Sequence, residues 1–267
     1  MTPPGLSRFV FSVAGVLALA AVAPFAAAWA GEIPLSERRS GFEQMKPETK
    51  AMQNDDTANP GMLWVLDGEA LWNAKAGEAG RACADCHGDA AKSMKGVAAR
   101  HPAFDKARGK PVDLNGRINM CRVERQKAPA LEPESKDSLA LAAFVARQSR
   151  GQPIESDEKN LTPLIEAGRA LFTRRQGHLD LSCAHCHTAN RGLKLAGLPL
   201  SQGHPTGYPL YRFEWQTFGS LQRRLLNCLT GMRAEPYPYG SPEHLALETY
   251  LMWRARGMPM ESPAVRP

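Results

Sequence analysis

The sequence predicts an all-α protein made of two similar helical units, and three observations carry that prediction. First, apolar residues recur at i, i+1, i+4, i+7 and i+8 through Trp64-Val65 and Gly68-x-Ala70-Leu71-Trp72, which is one face of a helix. Second, the same string returns as Leu164-Ile165 and Gly168-x-Ala170-Leu171-Phe172, at the same distance ahead of a cysteine-rich motif. Third, each unit closes on a matching helix. Leu139-Ala140-Leu141, Phe144 and Arg150-Gly151-Gln152-Pro153 parallel Leu245-Ala246-Leu247, Tyr250 and Arg256-Gly257-Met258-Pro259, with Gly where a helix should end and Pro after it.

Taken in order, the chain opens on a removable address. Arg8, an apolar run from Phe9 to Ala28 and the small-x-small site Ala28-Trp29-Ala30 predict a cleaved signal peptide over 1–30. Pro24 interrupts the run, which argues against a retained membrane anchor, and no second apolar stretch approaches spanning length. The mature protein is expected in the periplasm. Residues 31–60 read as an irregular polar extension, 61–155 as the first unit and 156–267 as the second, with the boundary in Gly151–Asn160. Thr162-Pro163 offers an N-cap and a first-turn proline for the second unit's opening helix. The segments after each motif, Thr188–Gln216 above all, are rich in Gly, Pro and aromatics and read as ordered loops.

The net charge of +6 is spread among acidic residues and not gathered in a block, so nucleic-acid binding has no support. A small anion or an acidic partner protein fits better.

Six cysteines in an exported chain first suggest disulfides, but their spacing says otherwise. Cys83-Ala84-Asp85-Cys86-His87 and Cys183-Ala184-His185-Cys186-His187 both read C-x-x-C-H, the attachment pattern of c-type haem. Two thiols one short turn apart add to the porphyrin vinyl groups, and the next residue sets its imidazole under the iron. Two haem c groups are therefore expected, with His87 and His187 as axial ligands. A zinc site from the C-x-x-C pairs would leave both histidines unexplained.

The helix–motif–loop–helix order resembles the class I cytochrome c fold, in which the first and last helices cross at a glycine–aromatic contact. Gly68 with Phe144, and Gly168 with Tyr250, are the matching pairs. The second axial ligand stays open on residues alone. Met120, Met232, Met258 and Met260 are available, since Met is a common partner. Cys121 and Cys228, the two cysteines not used for attachment, stand in matching places before each closing helix. They read as thiolate ligands, which would depress the reduction potentials, or alternatively as a disulfide tying the two units.

With Arg224-Leu225-Leu226-Asn227-Cys228-Leu229-Thr230-Gly231-Met232-Arg233 beside two C-x-x-C-H units, the chain resembles the SoxA family, the dihaem subunits of SoxAX cytochrome complexes. The resemblance covers essentially the whole mature chain and is most specific at the R-x-x-x-C signature. It implies two tandem class I cytochrome c-like domains. It further implies L-cysteine S-thiosulfotransferase activity, in which thiosulfate is joined oxidatively to a cysteine of the SoxYZ carrier. The electrons then pass through haem to a SoxX subunit and an external cytochrome c. On this resemblance Cys228 is the catalytic residue, carried as a persulfide, and the distal ligand of the second haem. Cys121 is the distal ligand of the first, and Arg224 holds thiosulfate. If the segment is helical, Arg224 lies one turn before Cys228 on the same face, where its planar charge suits a sulfur oxyanion and favours a thiolate. Arg223 and Arg233 are further candidates for the same field. A thiosulfate dehydrogenase forming tetrathionate, a non-catalytic dihaem electron carrier and a dihaem peroxidase are the competing readings.

Overall fold

The structure, a computed structural model, describes Met1 and residues 33–267; the predicted signal peptide lies, apart from Met1, outside the described residues. Glu32–Pro267 form one compact unit. Its helices are α1 (Pro47–Asn54), α2 (Met62–Asn73), α3 (Cys83–His87), α4 (Ala90–Ser93), α5 (Leu114–Cys121), α6 (Lys136–Arg147), α7 (Glu158–Thr173), α8 (Leu221–Gly231) and α9 (Pro242–Arg254).

Two crossed helix pairs organise the unit, and each crosses at a glycine. A Cβ on Gly68 would fall 2.1 Å from the Ala140 carbonyl oxygen and 2.7 Å from the Phe144 Cβ. On Gly168 it would fall 2.0 Å from the Ala246 oxygen and 2.6 Å from the Tyr250 Cβ. Only a residue without a side chain lets α2 approach α6, or α7 approach α9, this closely. The aromatics then pack over the crossings: Trp72 lies 5.7 Å from Phe144, and Phe172 meets Tyr250 edge-on at 5.3 Å. The predicted glycine–aromatic pairs are both in place.

Serine caps set the closing helices. Ser135 accepts from the Ser138 N–H before α6, and Ser241 from the His244 N–H before α9, whose first turn also holds Pro242. The opening of α7 differs from expectation. Asp157 is the cap, accepting from the Asn160 N–H, so the helix begins a turn before Thr162. Thr162 instead donates its hydroxyl to the Glu158 carbonyl at 2.5 Å, and Pro163 sits inside the helix. An aspartate at the cap outcompetes a threonine already within reach of helical carbonyls.

The two halves meet through equivalent segments. Pro153 pairs antiparallel with Pro259, its counterpart in the repeat. Around that bridge Ile154 N–H donates to Met258 O at 2.8 Å, Gly257 N–H to Ile154 O at 2.8 Å and Met260 N–H to Gln152 O at 2.9 Å. Like paired with like in antiparallel sense places a local two-fold axis between the units. Ile154, Met252, Met258 and Met260 form a core cluster there with Ala98, Ala99 and Ala146. The predicted boundary stretch Gly151–Asn160 therefore starts in this shared ladder and runs past the Asp157 cap into the first turn of α7.

Short strands stiffen the loops: β1 (Ala103–Asp105) with β2 (Lys110–Val112), and β3 (Lys194–Leu195) with β4 (Leu198–Pro199). β5 (Leu210–Arg212) sits between antiparallel β6 (Thr217–Gly219) and parallel β7 (Ala264–Arg266). Strands of two or three residues are too short for alternation to betray them. The N-terminal extension is more ordered than its composition suggests. Gln53, on α1, accepts from the Val265 N–H at 3.0 Å, and Asn59 donates to the Pro263 carbonyl at 3.0 Å, so the extension is tied to the C-terminus.

Candidate functional site

Each C-x-x-C-H motif is held by the same device. Gly77 and Gly177, both at positive φ, begin the turns that lead into the motifs, and the turns close through the bridges Ala76–Arg81 and Gln176–Leu181. Each glycine lies under a residue at positive φ shortly after the helix that carries the third cysteine. Lys127 (φ 55) packs on Gly77 and Arg233 (φ 54) on Gly177, where a Cβ would stand 2.2 Å from Gln126 O or 2.3 Å from Met232 O. The attachment turn and the helix bearing the third cysteine are thus locked together in both halves.

That lock gathers two clusters. Cys121, the last residue of α5, lies within electrostatic reach of Cys83 and Cys86, and the Gln126 amide reaches the Cys83 sulfur at 3.7 Å. His87 packs its ring against Trp72 at 5.6 Å. In the second half Cys228, on α8, lies within reach of Cys183, Cys186 and His187. All six cysteines are free, with Cys121 and Cys228 in different clusters, so the alternative of a disulfide between them is not what the fold builds. Met258 and Met260 belong to the core cluster at the two-fold axis, away from the ligand role the sequence left open to them.

The second cluster has the donor set a haem iron requires. His187 directs Nδ1 to the Ser201 carbonyl at 2.9 Å, which leaves Nε2 as the nitrogen available to a metal. Cys228 faces the same ring and shares a hydrogen bond with it. Gly203, at φ +75, backs the ring so closely that a Cβ would stand 3.1 Å from the His187 Cγ. An imidazole fixed in the metal-binding tautomer, a thiol facing its free nitrogen and two further thiols within reach are a donor set that fits a haem c. Among the described residues His87, Cys121, Cys83 and Cys86 offer the equivalent set in the first half.

The Cys121 and Cys228 thiols differ in electrostatics. Burial pushes the Cys121 thiol up, with Arg117 opposing. Burial also acts on Cys228, but there the His187 hydrogen bond, the Arg224 charge and the charges of His187 and Arg212 outweigh it, bringing the thiol down to about 7. Cys183, beside it, is pushed up to about 12 by burial. The second half is built to hold a thiolate at Cys228.

α8 is helical as expected. Ser220 caps it, accepting from the Arg223 N–H, and Arg224 lies one turn before Cys228. Arg212, from β5, is the arginine that sequence reasoning missed. Its guanidinium bonds Glu214 at 2.7 Å, and the same carboxylate oxygen stands 3.7 Å from Arg224. Tyr208 lies within reach of Arg224, Arg212 and Cys228, and burial pushes its phenol up. Arg212, Glu214 and Tyr208 lie in and around a three-residue strand with no periodic signal, and they meet Cys228 and Arg224 only in the folded chain. Arg223 is engaged elsewhere, over the Trp215 ring at 4.7 Å and 4.0 Å from Glu134. Arg233 contributes its backbone, accepting from the His178 N–H at 3.1 Å while closing over Gly177.

Paired helices crossing at glycine, each over a C-x-x-C-H turn faced by a third cysteine, define a tandem c-type cytochrome, and such domains carry haem c. The chain belongs to the SoxA/TsdA cytochrome c domain family, which matches residues 67–154 and 167–260. It is 39% identical to the L-cysteine S-thiosulfotransferase subunit SoxA of Pseudaminobacter salicylatoxidans, over 87% of this chain and 82% of that protein. It is 36% identical to the subunit of the same name from Rhodovulum sulfidophilum, over 86% and 80%. Its fold is similar to that in the crystal structure of SoxXA from P. pantotrophus, with a TM-score of 0.83 at 32% identity, covering 86% of this chain and 87% of that one.

Proposed function

We infer that this chain is the catalytic haem subunit of an L-cysteine S-thiosulfotransferase. It joins thiosulfate to a cysteine of a carrier protein of the SoxYZ kind, in the periplasm, beside a SoxX-type cytochrome partner. The observation that carries this is the pairing of Arg224 and Arg212 around the low-lying thiol of Cys228, opposite His187. The relatives' shared name and the SoxXA likeness support the chemistry and the partner.

In the proposed reaction one S–S bond forms, between the sulfane sulfur of thiosulfate and the carrier cysteine. One thiol proton and two electrons leave. Two haem c groups, held by Cys83, Cys86, Cys183 and Cys186 and ligated by His87 with Cys121 and His187 with Cys228, supply one-electron acceptance when bound. The remaining work falls to side chains of the chain. Arg224 and Arg212 hold the sulfonate end by charge-assisted hydrogen bonds. The same charges keep Cys228, the catalytic sulfur carried as a persulfide, in its anionic form. Tyr208 closes the buried side of the site.

The test is product identity. The protein with its cytochrome partner receives thiosulfate and an electron acceptor, with and without carrier. Carrier bearing thiosulfate by mass spectrometry is the expected result. Tetrathionate formed equally well without carrier would make the chain a thiosulfate dehydrogenase. No turnover would make it an electron carrier. Arg224→Ala should lower kcat/KM about 10- to 100-fold, the worth of one charge-assisted hydrogen bond, while both haem spectra persist.

A further inference from the structure

His187 takes its orientation from a loop with no regular structure of its own. Its Nδ1–H donates to the Ser201 carbonyl at 2.9 Å, and residues 201–206 form neither helix nor strand. A carbonyl holds an imidazole only as firmly as its own segment is held, because irregular segments open locally at low cost. Inside the loop the Gly203 N–H donates to Ser201 Oγ at 3.2 Å, a single local contact. The remaining anchorage comes from elsewhere.

The N-terminal extension supplies much of it. Gln202, next in the chain to Ser201, reaches residues 37 and 39 with both ends of its amide. Its Oε1 accepts from the Arg39 N–H at 2.8 Å, and its Nε2 donates to the Glu37 carbonyl at 3.0 Å. One backbone donor and one backbone acceptor fix which end of the amide is which. His204 Nε2 shares the same oxygen at 3.0 Å, so that imidazole carries its proton on Nε2. The Gln202 carbonyl accepts from Arg254 Nη1 at 3.0 Å, and the Arg254 guanidinium lies 4.5 Å over the Phe172 ring in the α7–α9 core. At the far end of the loop, the Thr206 hydroxyl donates to Glu261 Oε2 at 3.0 Å, while Ser40 donates to Oε1 of the same carboxylate at 2.5 Å. Residues 37–40 thus tie the loop down at both ends, directly at Gln202 and through Glu261 at Thr206.

The first half is built differently. Among the described residues the His87 ring makes no hydrogen bond, and it packs against Trp72 instead. The extension stands outside the repeat, so it separates two imidazoles that the repeat alone would make equivalent.

We propose that Gln202 is a positioning residue for the second haem, pinning the Ser201 carbonyl against His187 Nδ1 by tying the loop to Glu37 and Arg39. A hydrogen bond accepted from Nδ1–H raises the basicity of a ligating imidazole, and a stronger donor holds ferric iron at a lower potential. Gln202 acts through Ser201 and His187. The extension is therefore part of the catalytic half, although it lies more than 140 residues before His187 in the chain.

The test uses the holo complex with its cytochrome partner. In Gln202→Ala the His187 Nδ1 proton, followed by paramagnetic NMR of the ferric low-spin state, should exchange with deuterium about tenfold faster, the worth of one net hydrogen bond. The second-haem potential should rise by up to about 59 mV, a tenfold change for one electron. Gln202→Glu keeps the shape and the acceptor and loses only the donation to Glu37, so its exchange should quicken by a smaller factor. It carries the test if Gln202→Ala fails to take up haem. Asn59→Ala cuts the extension's other tie, at the Pro263 carbonyl, and should lower Tm while leaving exchange and potential unmoved. Exchange at the wild-type rate in the Gln202 variants, or quickened equally in Asn59→Ala, would overturn the proposal. Ligation of iron by His187, on which the proposal rests, is reported separately by the low-spin optical and EPR spectra of each variant.

Discussion

Gly168→Ala tests how the fold holds its catalytic half. The added Cβ would lie 2.0 Å from the Ala246 carbonyl oxygen and 2.6 Å from the Tyr250 Cβ. Neither neighbour can swing aside, because one is helix backbone and the other the root of a buried ring. Restoring ordinary contact near 3.4 Å requires α7 and α9 to part by roughly 1.4 Å, and gaps of 0.5–1 Å already forfeit about a quarter to a half of each dispersion contact. Ile165, Phe172, Leu247 and Leu251 lose part of their packing in consequence. Overpacking of this kind costs about 1–3 kcal/mol or somewhat more, offset by about 1 kcal/mol of helix propensity gained over glycine. A net loss of about 1–2 kcal/mol corresponds to a Tm lower by roughly 2–8 °C for a unit of this size. Thermal unfolding followed by circular dichroism, with the haem Soret band recorded in parallel, measures it. Gly68→Ala should lose a similar amount, because its Cβ would meet Ala140 O at 2.1 Å, whereas Gly231→Ala enters open space and should cost nothing. A Gly168→Ala protein as stable as the Gly231→Ala control would refute the reasoning.

Two further outcomes follow from the site. Glu214 bonds Arg212 and stands 3.7 Å from Arg224, so Glu214→Gln removes a carboxylate that competes with substrate anions. Its apparent KM for thiosulfate should drop several-fold, with weaker protection of the wild type at high salt; an unchanged KM would show that the carboxylate does not screen the pair. His204 is buried, and burial first, then the Arg254, Arg38 and His187 charges, pull its imidazole down to about 3. Because its folded value is depressed, stability is full above pH 6.5 and falls as acidification protonates the unfolded chain alone. The loss reaches a ceiling of about 5 kcal/mol near pH 3. Urea midpoints at pH 7 and pH 4 should therefore converge in His204→Gln relative to wild type, and parallel curves would count against a neutral buried His204.

Much of this protein is local information. The C-x-x-C-H turns, the Gly68 and Gly168 crossings and the one-turn offset of Arg224 from Cys228 each depend on residues a few positions apart, or on one unit repeated, and so they are legible in the chain. The helical class and the cytochrome-like order follow from the same periodicity. The Asp157 cap was hidden behind the stronger-looking Thr162-Pro163 pair, since several caps compete within one turn. The roles that the resemblance assigns to Cys121, Cys228 and Arg224 rest on motif identity, and the structure adds the geometry that makes them chemically apt.

What only the tertiary structure decided involves partners far apart in sequence. Arg212 acts on Cys228, and Glu214 stands 3.7 Å from Arg224, from a segment whose strand β5 pairs with β7 at the far end of the chain. Pro153 finds Pro259, and Gln222 finds Asp113, only once the repeats fold back on each other. Sequence determined the two C-x-x-C-H turns, because attachment needs adjacent atoms. Charge around the thiol depends on burial and on through-space distance, and those exist only after the chain has closed on itself.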